Sequence, residues 1–267
     1  MESWIEGDLM SKNKTYIILI AIIFIFFIIM FALFGVDNIR KERYETTLIV
    51  GDNTIWTYQK KKWFNFSNSN STEDFDWKKY KVFSNNEKVG DYLLWHSDKW
   101  YAFDNKKNAV NIDGNLFAYR SNHKISIYKF TEKSIDDYTV VNEVLKNNDL
   151  EVTNNFTSSY MVSFDYDGDG EEEDFYLVTN VFPTGFNPDK IFALVFMVDG
   201  EEIYPIYTDI GNKGYDGCKP YFNTFLDLDN DKKYEFILSC SKYSVSGSID
   251  MLYKFVDKEF KIVISSE

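Results

Sequence analysis

Ten residues in the C-terminal half have the types and spacing to do chemistry as a group. Asp165, Asp167 and Asp169 alternate along the run DYDGDGEEED, Gly170 stands at its sixth position, and Glu171, Glu173 and Asp174 follow. As such a backbone curls, the side chains at positions one, three and five converge on one point, and a glycine at position six permits the sharp positive-φ turn. The carbonyl of Glu171 can add an oxygen, and Glu173 or Asp174 can close the shell. Hard oxygen donors without His or Cys select Ca²⁺ over transition metals. Seven acids within ten residues also repel one another unless a cation lies among them. A second loop, DLDNDKKYE, repeats the spacing with Asp227, Asp229, Asp231 and Glu235, beginning 62 residues later. Lys232 stands there at the position of Gly170. A non-glycine residue at positive φ costs about 1 kcal/mol, and Lys232 with Lys233 offsets part of the local charge. The second loop is therefore expected to hold a cation more weakly or not at all. Counted to Asp174, the first loop is one residue longer than the second counted to Glu235, which leaves Glu173 and Asp174 as alternative closing ligands.

Other chemistries find little support. The helix-loop-helix calcium motif needs a glutamate at position twelve, but that position is Tyr176 in one loop and Leu238 in the other. Two cysteines, Cys218 and Cys240, and two histidines, His96 and His123, are too few for a zinc or metal-hydrolase constellation. The cysteines fit one disulfide in an oxidising compartment or two buried thiols in a reducing one. His96-Ser97-Asp98 contains triad residue types, but adjacent residues point in different directions and cannot relay a proton. The chain carries 42 acids against 29 bases, a net charge of −13, which excludes nucleic acid as a partner. No catalytic residue and no organic cofactor are indicated; a bound ion would be structural, since protein oxygens fill its shell.

The acidic loops must be positioned by strands. The first joins SYMVSF to DFYLVTN and is followed by IFALVFMV, an Asp199-Gly200 turn and EIYPIY. The second joins YFNTFLD to EFILSC and is followed by IDMLYKF, a Val-Asp-Lys turn and FKIVIS. These read as two four-stranded repeats of about 60 residues. The pattern DxDGDGxx(D/E) ahead of an aromatic-aliphatic strand resembles the calcium-binding hairpin loops of FG-GAP and VCBS repeats, as in integrin α-type β-propellers. The resemblance covers Tyr160 to Asn180 closely and Phe222 to Ser241 loosely. It implies blade-like antiparallel units with Ca²⁺ held by Asp165, Asp167, Asp169 and an acid at the loop's end. Two blades are too few for a closed ring.

Upstream, a helix is expected from Ser134 to Lys146, capped by Ser134, with Ile135, Tyr138, Val141, Val144 and Leu145 forming a stripe that lies on a sheet. Between Tyr44 and Phe130, short runs such as TTLIV, TIWTY, KYKVF, DYLLW and ISIYKF alternate with turns and predict antiparallel β structure. Residues 65 to 76 read as an exposed polar loop. Five of six tryptophans lie between Trp56 and Trp100, and a tight turn at Ser97-Asp98 would set Trp95 across from Trp100 as packing rather than as a sugar platform. Thr15 to Val36 is free of charge over 22 residues, long enough for a transmembrane helix retained as a signal-anchor.

The expected organisation is a tail at 1–14, a transmembrane helix at 15–36, an N-terminal β module at 37–130, and a helix plus two calcium-loop repeats at 131–267. The fold class is mainly β, with antiparallel four-stranded blade-like units, one soluble helix and one membrane helix. Flanking Lys12, Lys14, Arg40, Lys41 and Arg43 slightly favour a cytoplasmic C-terminus, whereas the signal-anchor habit and the calcium-type loops favour export. The expectation is a single-pass protein of the cell membrane with an extracytoplasmic binding, adhesion or sensing module for a protein or glycan ligand. The alternatives are an anchored cell-wall glycan hydrolase, recognisable by two facing carboxylates in a cleft, and an accessory subunit of a membrane complex.

Overall fold

β-branched and aromatic runs separated by short turns favour strands, and strands are what the chain forms from Thr46 onward. The computed structural model describes residues 45–67, 72–152, 156–181, 190–212, 217–242 and 248–267. The expected tail at 1–14 and transmembrane helix at 15–36 lie outside the described residues. Among those described, no helix is long and apolar enough to cross a membrane.

Eight strands make a large antiparallel sheet: β1 (Thr46–Val50), β2 (Thr54–Gln59), β3 (Lys62–Asn65), β4 (Lys78–Ser84), β5 (Glu87–His96), β6 (Trp100–Phe103), β7 (Ala109–Val110) and β8 (Leu116–Ser121). Their order is β3-β2-β1-β8-β4-β5-β6-β7, so β8 returns to lie between β1 and β4. Two further antiparallel sheets, of four and five strands, form from the C-terminal segments. The outer sheet holds β10 (Ser158–Phe164), β11 (Glu173–Thr179), β12 (Lys190–Asp199) and β13 (Glu202–Asn212) in chain order. The middle sheet holds β14 (Cys218–Asp227), β15 (Glu235–Lys242), β16 (Ser248–Val256) and β17 (Glu259–Ser265), with β9 (Ser126–Tyr128) added at the edge of β14. Three hairpins turn on paired residues at positive φ, Lys60-Lys61, Asn85-Asn86 and Asp257-Lys258, the geometry whose twist matches that of the flanking strands.

Strand alternation then builds the layers. On the middle sheet, Phe225, Phe236, Leu238, Met251 and Tyr253 pack against Phe164, Phe175, Leu177 and Val195 of the outer sheet. The alternate residues Leu226, Ile237 and Leu252 pack against Leu48, Val50, Trp56 and Phe117 of the large sheet. A sheet buried on both faces reads as largely apolar sequence, as in EFILSC and IDMLYKF, whose polar Ser239 and Asp250 are buried and hydrogen-bond one another. The helix α1 (Thr139–Asn147) covers the other side of the outer sheet, with Val141, Val144 and Leu145 on Tyr176, Val178, Phe192, Leu194 and Phe196.

Several expectations need correction. The helix begins at Thr139 rather than Ser134. Asp137 accepts hydrogen bonds from the Thr139 amide (2.9 Å) and hydroxyl (2.7 Å), a local turn that competes with helix. Lys133 meanwhile pairs with Met161 as an extended bridge. The Ser134 hydroxyl reaches Asp136, not a helix amide. The turn after β5 spans Ser97 to Lys99, closed by Ser97 N to Lys99 O at 3.1 Å, so Trp95 faces Tyr101 and Trp100 faces His96. Within the expected exposed loop, Phe75 is buried. The run ISIYKF contributes β9 to the middle sheet, where Tyr128, Ile127 and Ser126 pair with Phe225, Leu226 and Asp227.

Candidate metal centre

The first acidic loop is the connection between β10 and β11. Its side chains organise its own backbone: Asp165 accepts from the amides of Gly168 (2.7 Å) and Gly170 (3.1 Å), Asp167 from Asp169 (3.2 Å), and Asp169 from Glu171 (2.8 Å). Gly168 and Gly170 both take positive φ, 81° and 98°. One carboxylate oxygen from each of Asp165, Asp167 and Asp169 lies within 4.8 Å of the others. Oxygens 2.3–2.6 Å from one Ca²⁺ are separated by at most roughly 5 Å, so the three fit a common ion. Glu173, outside that cluster of three, is buried and accepts from the Tyr166 amide within the loop at 2.6 Å. Burial pushes its carboxyl up to about 7, and Asp167, Asp199 and Asp169 add repulsion. A cation among these groups would reverse that shift.

Of the other expected ligands, Glu171 is exposed on the loop. Glu173 and Asp174 point to opposite faces of β11, because side chains alternate: Phe175 shares the Glu173 face and the inner core, while Tyr176 shares the Asp174 face toward α1. Glu173 is thus brought to the loop and Asp174 is not.

The second loop, between β14 and β15, has the same backbone. Asn230 and Lys232 take positive φ, 60° and 69°, at the positions of Gly168 and Gly170. Asp231 accepts from the Lys233 amide (2.8 Å) as Asp169 does from Glu171. Glu235 accepts from the Leu228 amide (3.0 Å) as Glu173 does from Tyr166. Glu173 and Glu235 are both the ninth residue of their loops, so the two loops are equal in length once Glu173 closes the first. Oxygens of Asp227, Asp229 and Asp231 again lie within 4.8 Å of one another. The surroundings differ, however. Lys254 of β16 donates to Asp229 and to Glu235, 2.7 Å each. Burial works against the Lys254 charge, yet its hydrogen bonds with Asp229 and Glu235 hold its pKa above the ordinary lysine value. Asp229 is partly buried, but the bond from Lys254 keeps it below the usual carboxylate range. Burial pushes Glu235 up against that same bond.

The two loops adjoin. Tyr234 N donates to Tyr166 O at 3.1 Å, and a Cβ added to Gly168 would stand 3.2 Å from the Lys232 carbonyl. Beside the second loop a cavity of about 590 Å³ is lined by Tyr58, Trp63, His123, Asp229 and Lys254 among others. His123 is exposed, as expected, and its Nε2 donates to Leu228 O at 2.6 Å, tying the β8–β9 turn to the loop. His96 sits 3.2 Å from the Asp52 carbonyl.

Lys254 and Asp199 are the neighbours that reading the loops alone misses. The signal for them was present: aligning the third strands of the two repeats sets the end of IFALVFMVD against that of IDMLYKF. No family model, curated protein or solved structure matches this chain.

Proposed function

We propose that this chain is a membrane-anchored, extracytoplasmic β-rich module for binding, adhesion or sensing, with a structural Ca²⁺ held in its first acidic loop by Asp165, Asp167, Asp169 and Glu173. One observation carries the reading: three carboxylate oxygens of that loop converge within 4.8 Å of one another. Two four-stranded units with equivalent loops in their first hairpins support the likeness to FG-GAP and VCBS repeats. Cys218 and Cys240 stand with Cα atoms 5.6 Å apart, within reach of a disulfide, and such a bond would accord with an oxidising compartment and with export. Anchorage rests on the apolar run at 15–36.

A protein or glycan ligand would find aromatic faces on the large sheet. Trp77 is 44% exposed, stacks on Trp95 with ring centres 6.3 Å apart and packs on Phe103 at 5.1 Å. A hydrolase gains no support from the cavity carboxylates, because Asp229 and Glu235 are both engaged by Lys254.

The test is the melting temperature of the full chain in mild detergent, with Ca²⁺ titrated from micromolar to millimolar beside a chelator control. A rise with a midpoint on the order of 10⁻⁴ to 10⁻³ M is expected for an extracellular calcium module. No shift at any concentration would reduce the loops to ordinary acidic turns.

A further inference from the structure

The two acidic loops share a backbone but differ in what the third strand of each unit sets beside them. In the outer sheet Asp174 pairs with Val198, and the next rung sets Glu173 opposite Asp199. In the middle sheet Phe236 pairs with Tyr253, and the next rung sets Glu235 opposite Lys254. Equivalent positions therefore hold an acid in one unit and a base in the other.

Lys232 does not prevent the turn: it sits at 69° where Gly170 sits at 98°, and the amide bonds from Lys233 to Asp231 and from Leu228 to Glu235 match those of the first loop. Asp165 accepts from the Gly168 and Gly170 amides, whereas Asp227 Oδ1 has no partner among the described residues. Lys254 is the charged group that sets the two loops apart. Its ammonium contacts Asp229 Oδ2 and Glu235 Oε1 at 2.7 Å. A Ca²⁺ would need to lie 2.3–2.6 Å from oxygens of these same groups, so ammonium and ion exclude one another. The lysine is also tethered, and takes its place without the loss of freedom that a dissolved ion incurs on binding. The remaining acid points to what the lysine leaves undone. Asp227 is 6% exposed, and its Oδ1 is buried without a hydrogen-bond partner among the described residues. Such a group is costly unless a cation or donor reaches it.

We propose that Lys254 is the resident cation of the second loop, standing where a divalent ion would stand, so that the chain binds Ca²⁺ at the first loop alone and acquires a second site when the lysine charge is removed. The count of one in the native chain rests on the calcium reading of the first loop; the gain of a second site does not.

The experiment is Ca²⁺ stoichiometry by equilibrium dialysis on the full-length chain in mild detergent, for four proteins: the native chain, Lys254→Met, Asp167→Asn to silence the first loop, and the double variant. The expected counts are one, two, none and one. A Lys254→Met chain that binds no more Ca²⁺ than the native one, together with a double variant that binds no more than Asp167→Asn, would overturn the proposal. So would a native chain that already binds two ions. If the native chain binds none while Lys254→Met binds one, the calcium reading of the first loop falls and the role of Lys254 stands. Lys254→Arg keeps the charge and should gain nothing; a gained site there would show that charge is not the obstacle. Should Lys254→Met unfold in chelator, its melting temperature should return toward the native value in millimolar Ca²⁺. Failure to return would count against the proposal as a lost ion would not.

Discussion

Individual residues carry opposite burdens in the two halves of the candidate centre. At Asp167 the carboxylate faces other acids, so its worth should depend on a bound ion. Asp167→Ala is expected to lower the melting temperature in millimolar Ca²⁺ by about 1–5 °C, since a ligand present at roughly one to ten times its Kd contributes about 0.4–1.4 kcal/mol. In chelator the same change should have little effect, and equal losses in both buffers would speak against a bound ion. Asp250 poses a different problem, because it is buried between the middle and large sheets and accepts from Ser239 (2.5 Å) and Thr54 (2.6 Å). Burial pushes its carboxyl up, against those two hydrogen bonds. A raised folded-state pKa means that the group's contribution is fully present below the unfolded value, near pH 4, and is lost as pH rises through the folded value. Stability should therefore decline through the window that opens at the ordinary aspartate range and extends above it. Asp250→Asn should flatten that part of the profile, measured as melting temperature against pH in chelator. The odd-position spacing of Asp165, Asp167 and Asp169 was legible from residue types alone. The partner of Glu235 was not, because Lys254 reaches it across a strand pair.

Elements were read with uneven success, and the reasons are local. The strands from β10 to β17 were visible as apolar runs, and four of their hairpins turn on residues at positive φ, as at Gly200 and at Asp257-Lys258. The apolar stripe of α1 was visible too, but its start was not. A serine followed by two aspartates mimics a helix entrance, while the Asp137 side chain and the Lys133–Met161 bridge hold the segment out of it. The helix matters through Leu145, which is fully buried on the outer sheet. Leu145→Ala should cost about 2–5 kcal/mol, read as a shift in the denaturant midpoint at unchanged slope. Because α1 lies on the opposite face of the outer sheet from Glu173, the variant should leave the Ca²⁺ midpoint of the surviving folded chain where it was. The Trp95 register shows how one turn residue decides a pairing: a three-residue turn instead of two moves every partner by one.

Across the molecule, the middle sheet is what joins the parts. It packs on the outer sheet with one face, on the large sheet with the other, and takes β9 from the segment that precedes α1. Thr46 to Glu267 accordingly behaves as one compact unit of contacts. Thermal unfolding of residues 46–267 should show a single transition in which calorimetric and van't Hoff enthalpies agree. Two resolved transitions, or a stable fragment ending near residue 130, would mean that the N-terminal strands fold alone. The sequence by itself determined the mainly β class, the antiparallel strands and the alternating spacing of the aspartates, because these depend on neighbours a few residues apart. Three outcomes came from tertiary structure: the return of β8 between β1 and β4, the transfer of β9 to another sheet, and the meeting of Lys254 with the second loop. Each sets together residues far apart in the chain, where local propensity is silent and only the burial of complementary faces selects the partner.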